Sequence, residues 1–455
     1  MVVSPQLAGS ANAPPQRKGR EYRPVVIRTS SPMRMRLTLM QLVVTIYEKT
    51  PELAIDVIRA LRDDHDAIEL RVDAFGGRAI DWAAVLAATA KPVIATNRGG
   101  VPVLDASADF IDVEWGHPIP PDRRVILSHH DYEGMPDVEQ LVAEMRGAEQ
   151  VKLAVTPRNL ADNIRLLALL EGRTNLSVIG MGNRGLYARI LAPFFGSQLQ
   201  FVSVDESRSA APGQLTLKQA LAIYGPNRDR LRADRIFAIA GNPASHSGSP
   251  AIHNSIFRKC GVAAAYTIFE TDDFLDVARS LGQRYAPSGI SITAPFKEQA
   301  FAFAEEIGAD VRANAAEAGS VNTLVKIGDR IVADNTDVDG FATLIAKTNA
   351  RTAAVIGAGG TARAALVALR RAGVESIVFN RTADKLGARP LDQLSSWRGD
   401  LVINTLPPNV TITLPDAATI IEAAYGRDSH ATFNGLDLLR AQAARQSELF
   451  LEACQ

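Results

Sequence analysis

From residue 41 onward, short apolar and β-branched runs alternate with longer segments whose apolar residues recur at helical spacing. The runs are "LVVTI" (42–46), "AIELR" (67–71), "PVIAT" (92–96), "FIDVE" (110–114), "VILSH" (125–129), "VKLAV" (151–155), "LSVIG" (176–180) and "QFVSV" (200–204), and they read as strands. Between them, "PELAIDVIRALRDD" and "LADNIRLLALLEG" carry the apolar periodicity of amphipathic helices. Strands alternating with helices imply parallel pairing through right-handed crossovers. The pattern predicts an α/β fold whose first part, residues 41–227, is a (β/α)8 barrel, with a doubly wound open sheet as the alternative. The barrel is compact, about 185 residues against a usual ~250.

Near residue 228 the pattern changes. "NRDRLRAD" is a charged connector, and "RIFAIAG" (235–241) opens a second, smaller α/β unit over 234–338. A βαβ unit follows over 352–410, opening with "AAVIGAGGTARAALVALRRAG". Residues 1–36 are rich in Pro, Ser, Ala and Arg and lack the apolar core of a secretory signal. They read as a disordered tail, or as an upstream start in place of Met33, Met35 or Met40; an organellar transit peptide is the alternative.

Composition narrows the class of partner. A chain of 455 residues suggests two or three domains, and a formal net charge of −1 gives no basic footprint for nucleic acid. No apolar run reaches the length of a membrane span. The two cysteines, Cys260 and Cys454, have no metal-ligand spacing, which fits a reducing, cytoplasmic setting with no metal. The sequence carries no signal for oligomeric state. The acidic cluster Asp63-Asp64-His65-Asp66 reads as a solvated loop.

The candidate chemistry starts at Lys152, which sits among apolar residues in "EQVKLAVTP". One account puts it on an exposed strand face or lets it snorkel to the surface. The other makes it an amine kept partly neutral to attack a carbonyl. Barrel chemistry gathers at the C-terminal ends of the strands. Polar residues recur there: Glu69, Arg71, Arg98, Glu114, Ser128, His130 and Lys152, followed by Arg189 and Gln214 in later loops. That recurrence favours the second account. Arginine fits a carboxylate through paired hydrogen bonds. A lysine iminium is an electron sink, and histidine is the natural base for the adjacent proton. The implied chemistry is Schiff-base elimination or aldol cleavage on a small acidic keto compound. For His129 and His130, a hydrogen-bonded pair ending a strand is the bland alternative.

"IELRVD", "TNR", "IDVE", "ILSHHDY", "VKLAVTP" and "SAAPGQ", in that order, resemble the type I 3-dehydroquinate dehydratases. The resemblance implies that Lys152 forms the imine with 3-dehydroquinate and that His130 moves the proton, with Glu69 orienting the histidine. Arg71, Arg98, Arg189 and Gln214 then match substrate-binding positions. Two departures stand out. Ala210 replaces the family's substrate-contacting serine, and the loop after Arg98 is short and lacks the acidic residue commonly found there. A working dehydratase with weakened substrate binding is expected.

"VIGAGGTARAAL" places Gly357, Gly359 and Ala362 in G-x-G-x-x-A spacing after an apolar strand. Ala358, Gly360 and Thr361 complete a turn that can cradle a pyrophosphate at a helix N-terminus; a tight turn without ligand is the alternative. About 20 residues on, an NAD site wants an acid, whereas Asn380, Arg381 and Thr382 stand here, so the arginine favours NADP. "GNPASHSGSP", "GISITAPFKEQA", "GSVNTL" and "DNTDVDG" add a polar pocket.

These motifs resemble shikimate dehydrogenase from about residue 234 onward. By that resemblance, residues 234–338 with a returning helix at 435–453 form the substrate-binding domain, and 339–434 the NADP-binding Rossmann domain. Ser247 and Ser249 hold the substrate carboxylate, Thr293, Asn322 and Gln442 contact ring hydroxyls, and Lys297 and Asp337 handle the proton. After "VINTLPPN" the chain is shorter than the family pattern, and Tyr425 is matched to a tyrosine near the nicotinamide.

Joined, the halves imply dehydration of 3-dehydroquinate to 3-dehydroshikimate and its reduction to shikimate with NADPH. The product of one site is the substrate of the next. The rivals are a catabolic quinate or shikimate dehydrogenase using NAD, and a ligand-sensing regulator that keeps the folds without the chemistry.

Overall fold

The computed structural model describes residues 40–455 apart from 99, 105, 230, 383–384 and 425–430. The expectations for 1–36 and for Tyr425 therefore lie outside the described residues. Eight strands build the first sheet: β1 (Gln41–Ile46), β2 (Ala67–Arg71), β3 (Val93–Thr96), β4 (Phe110–Glu114), β5 (Val125–Asp131), β6 (Gln150–Val155), β7 (Leu176–Gly180) and β8 (Leu199–Ser203). Their order is β7-β6-β5-β4-β3-β2-β1-β8, and every ladder is parallel. No ladder joins β7 to β8 among the described residues. Serines bridge that seam instead: Leu199 N donates to Ser177 Oγ at 2.9 Å and Val178 N to Ser197 Oγ at 3.3 Å.

Six helices pack outside: α1 (Pro51–Ala60), α2 (Trp82–Ala88), α3 (Val138–Glu144), α4 (Leu160–Ala168), α5 (Leu186–Leu191) and α6 (Leu217–Tyr224). Local signals start them. Thr50 caps α1, with proline opening its first turn, and Thr216 with Gln219 forms a capping box on α6. Among the described residues no α-helix follows β3 or β4, whose links run over 97–109 and 115–124. This corrects the expected eight strand–helix units. A helix returning alongside a strand of about 17 Å needs about 11 residues before its turns, whereas extended chain needs about five. The missing helices account for the compact barrel.

Side chains alternate along each strand, and the inward set separates into two layers. Val43, Ala67, Ile94, Phe110 and Ile126 belong to an apolar plug that also holds Ala154, Ile179, Met181, Leu199 and Phe201. Two residues further along the first five strands come Thr45, Glu69, Thr96, Asp112 and Ser128. Apolar plug thus gives way to polar mouth at the same step on five adjacent strands.

The second sheet contains β9 (Arg235–Gly241), β10 (Ala264–Glu270), β11 (Gly289–Ile292), β12 (Asp310–Val311), β13 (Thr323–Ile327) and β14 (Arg330–Asp334), in the order β10-β9-β11-β13-β14-β12. β13 runs antiparallel to both β11 and β14. Its helices are α7 (Ser249–Cys260), α8 (Phe274–Arg279), α9 (Lys297–Glu306), α10 (Ala313–Ala318) and α11 (Asp337–Ile345). The third sheet is wholly parallel: β15 (Thr352–Ile356), β16 (Glu375–Asn380), β17 (Arg389–Pro390), β18 (Gly399–Asn404) and β19 (Ala417–Glu422), ordered β17-β16-β15-β18-β19. α12 (Gly360–Arg371) crosses from β15 to β16, while the link 405–416 between β18 and β19 has no helix. α13 (Gly435–Glu452) ends the fold, packing on α11 and reaching back to α7.

Candidate active sites

Lys152 lies on the inner face of β6 and is buried, its apolar neighbours Val151 and Leu153 turning outward to the helices. Nζ donates to Asp112 Oδ2 at 3.0 Å, lies 3.5 Å from Glu69 Oε1, and sits 4.0 Å above the Phe201 ring. Arg98 grips Asp112 through two bonds of 2.6 Å and also reaches Ser128 Oγ at 2.9 Å and Glu114 at 3.1 Å. Ser128 Oγ donates to Asp112 as well. Glu69 accepts from Thr45 Oγ1 at 2.8 Å and Thr96 Oγ1 at 3.0 Å. Burial alone would raise both carboxyls. Lys152, Arg98 and Arg71 hold Glu69 below the usual carboxylate range, and Arg98 with Lys152 holds Asp112 far below it. The barrel mouth is an ionised network around one amine.

His130 is held by Glu114, not by Glu69 as expected. Glu114 accepts from the His130 backbone N–H at 2.8 Å and meets Nδ1 at 2.9 Å. The reason is register. Glu114 on β4 pairs directly with Ser128 on β5, two residues from His130, whereas β2 lies beyond β3 and β4. Burial, then the Arg98 charge, pulls the His130 imidazole down to about 4, although Glu114 pulls the other way. Glu114 is also kept ionised, by its bond to His130 and by Arg98 against its own burial. The ring is therefore neutral at pH 7. Its Nδ1–H faces a carboxylate, which leaves Nε2 as the basic lone pair.

The remaining barrel candidates divide. Arg71 is bidentate to Asp73 at 2.9 and 2.7 Å and stacks 5.0 Å over Tyr47. Gln214 donates to Thr45 Oγ1 at 3.2 Å and accepts from Ala210 N at 2.8 Å. Ser209 beside it is turned back to Ala211 O at 2.8 Å, so it does not replace the missing hydroxyl. Arg189 is buried on α5, with Nε donating to Gly180 O at 3.0 Å and Nη1 unpartnered. Among the described residues it has no carboxylate within ion-pair distance. Burial lowers its guanidinium to about 10, still charged at neutral pH.

The second site lies between the second and third sheets, in a cavity of about 130 Å³ lined by Ser249, Thr293, Lys297, Asn322, Asp337 and Gln442, among others. Lys297 opens α9 and Asp337 opens α11, and Nζ donates to Asp337 Oδ2 at 2.5 Å and to Thr361 Oγ1 at 2.9 Å. Asn322 Nδ2 donates to the other Asp337 oxygen at 2.9 Å. Gln442 reaches across from α13, its Oε1 accepting from Thr336 Oγ1 at 2.8 Å. Ser247 stands outside the lining and bonds Ser249 Oγ at 3.1 Å.

The glycine turn fits a dinucleotide. Gly357 has φ +108°, and a Cβ there would meet Thr405 Oγ1 at 2.4 Å. Gly359 caps α12 with no side-chain bond to its free N–H groups, and a Cβ there would meet nothing within 4 Å. Ala358 and Ala362 are buried beneath the turn. Gly360 approaches Lys297, whose Cβ a Gly360 side chain would meet at 2.8 Å, so the turn and the lysine share one wall. Asn380 Nδ2 donates to Thr382 O at 3.1 Å, and Arg381 and Thr382 are exposed after β16.

Sequence reasoning gave no role to Asp112, Thr45, Thr96, Phe201 or Thr336, and it placed Glu114 at the barrel mouth without assigning it to His130. "FIDVE" did carry a signal, because acids two apart on a strand share a face. Which side chain they meet depends on strand register, which no local pattern encodes.

The type I 3-dehydroquinase family model matches residues 102–227, and the shikimate dehydrogenase substrate binding domain model matches residues 239–324. A chloroplastic bifunctional 3-dehydroquinate dehydratase/shikimate dehydrogenase of Arabidopsis thaliana is 30% identical over 420 residues, covering 76% of this chain and 68% of that protein. The shikimate biosynthesis protein AroDE of Chlamydia trachomatis is 28% identical over 451 residues, covering 87% of this chain and 91% of that protein. A solved structure of shikimate 5-dehydrogenase from Thermus thermophilus, in complex with NADP(H) and shikimate, is 28% identical with a TM-score of 0.40, covering 48% of this chain and 93% of that one. With one half matched to each activity, and both found together in relatives of similar span, this chain belongs to the bifunctional 3-dehydroquinate dehydratase/shikimate dehydrogenase family.

Proposed function

We propose that Lys152 and His130 carry the dehydration of 3-dehydroquinate, and that Lys297 and Asp337 carry the NADPH-dependent reduction of 3-dehydroshikimate. In the first reaction Lys152 Nζ adds to the ketone and water leaves, giving an iminium. His130 Nε2 takes the proton from the neighbouring carbon, and the iminium holds the electron pair. The protonated His130 then returns its proton to the departing hydroxyl, which leaves as water. Hydrolysis of the imine frees the conjugated product and Lys152. Arg189, the buried cation with no carboxylate partner among the described residues, suits the substrate carboxylate. Ala210 removes one hydrogen bond to substrate, about 1 kcal/mol of binding.

In the second reaction Ser247 and Ser249 take the substrate carboxylate, and Thr293, Asn322 and Gln442 take the ring hydroxyls. Lys297 gives a proton to the developing alkoxide, and Asp337 keeps the ammonium in place. Gly357 to Ala362 and the N-terminus of α12 would hold the pyrophosphate, and Arg381 with Asn380 and Thr382 the 2′-phosphate side. NADPH, when bound, supplies the hydride. The two free cysteines support a reducing, cytoplasmic setting.

The observation that carries the reading is the pairing of a buried, inward Lys152 with a neutral His130 whose Nδ1 is already engaged. Borohydride reduction during turnover of 3-dehydroquinate tests it. Peptide mapping should place the trapped adduct on Lys152; an adduct elsewhere, or none, contradicts the reading.

A further inference from the structure

At the barrel mouth, β7 passes through residues 181–185 into α5, the helix that carries Arg189. Two side chains of that passage leave the barrel. Asn183 Nδ2 donates to Glu270 Oε1 at 2.9 Å, and Arg184 pairs with Asp272. Glu270 is the last residue of β10, and its second oxygen accepts the backbone N–H groups of Ala244 and Ser245 at 2.9 Å each. Asp272 likewise accepts from Asn242 Nδ2 at 2.5 Å. Both acids therefore join the barrel to residues 242–248, the turn between β9 and α7.

That turn is the footing of the serines. Ser247 N donates to Ala244 O at 3.0 Å, and Ser249 N donates to Ser247 Oγ at 3.2 Å. On its other side Asn242 N donates to Ala294 O at 3.1 Å, next to Thr293. The strand beneath is itself fixed to the barrel. α5 packs on β10, Thr267 Oγ1 donates to Tyr187 O at 3.2 Å, and Tyr187 Oη donates to Tyr285 O at 2.7 Å. Bonds from the turn and from Asn183 also keep Glu270 ionised against its partial burial.

We propose that Glu270 is a positioning residue for the dehydrogenase, fastened by Asn183, through which the dehydratase half sets the carboxylate-binding serines of the other half. The proposal rests on the reading of Ser247 and Ser249 as the carboxylate site. A carboxylate far from the transferred hydride is bound alike in ground and transition states, so loosening its site raises KM and spares kcat.

The test is steady-state oxidation of shikimate with NADP by the full chain and its variants. Glu270→Ala removes three bonds to a charged acceptor and should raise the KM for shikimate about tenfold, with kcat, the KM for NADP and dehydration each within about twofold. Asn183→Ala should move the same KM about threefold, and Glu270→Gln, which keeps one acceptor, should fall between wild type and Glu270→Ala. Because Glu270 acts through the serines, Glu270→Ala on top of Ser247→Ala should add less than about twofold. A raised KM in Ser247→Ala with none in Glu270→Ala overturns the proposal while sparing the carboxylate site. A parallel fall of kcat and dehydration in Glu270→Ala also overturns it, as a loss of fold. An unchanged KM in Ser247→Ala overturns the serine reading itself.

Discussion

Replacing Glu114 by glutamine is the sharpest probe of the barrel chemistry, because one carboxylate does three things there. It accepts the His130 backbone N–H at 2.8 Å, meets Nδ1 at 2.9 Å, and pairs with Arg98 at 3.1 Å. Glutamine keeps the shape and one acceptor. It loses the charge and sets an N–H donor either against the His130 backbone N–H or against Nδ1 and Arg98, which share the other oxygen. A hydrogen bond to a charged group contributes about 1.5–3 kcal/mol. If most of that holds the ring in its productive tautomer and direction, dehydration should slow by about 10–100-fold, within the ~10²–10⁴-fold available from general base catalysis. The KM for 3-dehydroquinate should change less than kcat, since Arg189 is untouched and Arg98 keeps both its bonds to Asp112. The assay is the ultraviolet absorbance of the conjugated product. The carboxylate also raises His130, so its loss should move the acid limb of the rate profile further down. Reduction of 3-dehydroshikimate by the same preparation serves as the folding control. An unchanged dehydration rate, with Glu69→Gln abolishing the histidine's role instead, would refute the assignment of Glu114 as the residue that orients His130.

The wild-type pH dependence follows from the same histidine. Burial, led by desolvation, lowers His130 to about 4, so kcat/KM for dehydration should stay level from neutral pH to about 5 and fall by half near about 4; a limb near 6.5 would contradict this. The stability sign agrees. An unfolded chain protonates His130 near about 6.5 and the folded chain resists, so this contribution is whole above that pH and is lost as pH falls toward about 4, visible in acid-unfolding titrations. Burial also lowers the core residue His253, to about 3, so its loss runs the same way. Gly359→Ala meets open space in the fold, so Tm should hold while the KM for NADPH rises about tenfold; a fallen Tm would place the cost in the protein and not the ligand. Arg381→Glu should lower the ratio of kcat/KM with NADPH to that with NADH by at least about tenfold, and an unmoved ratio would remove Arg381 from the 2′-phosphate site.

Much of the barrel was legible because its strands are short, apolar and β-branched, and because alternation along a strand is a local property. Lys152 could be picked out because polar residues recur at the same end of strand after strand; its own strand left an exposed face equally open. The strand–helix rhythm predicts a helix after each of β3 and β4, and among the described residues neither has one; the link after Arg98 already reads as a short loop, and the prolines and glycines of "GGVPVLDA" and "GHPIPPDRR" argue for irregular chain. The exchange of Glu69 for Glu114 beside His130 turns on which strands are adjacent and in what register. Those are long-range facts. The shortened crossover between β18 and β19 was visible as a missing length of sequence, whereas the bonds from Asn183 and Arg184 to Glu270 and Asp272 were not, because residues about 90 positions apart share no local pattern.

The central claim is that both sites of one chain act in sequence on one carbon skeleton. The most direct measurement follows NADPH absorbance after adding 3-dehydroquinate to the purified chain, alongside Lys152→Ala and Lys297→Ala. Wild type should oxidise one equivalent of NADPH per 3-dehydroquinate. Lys152→Ala should respond only to 3-dehydroshikimate, and Lys297→Ala should form the conjugated product without consuming NADPH. No NADPH loss from wild type with 3-dehydroquinate, or full activity in either variant, would contradict the account.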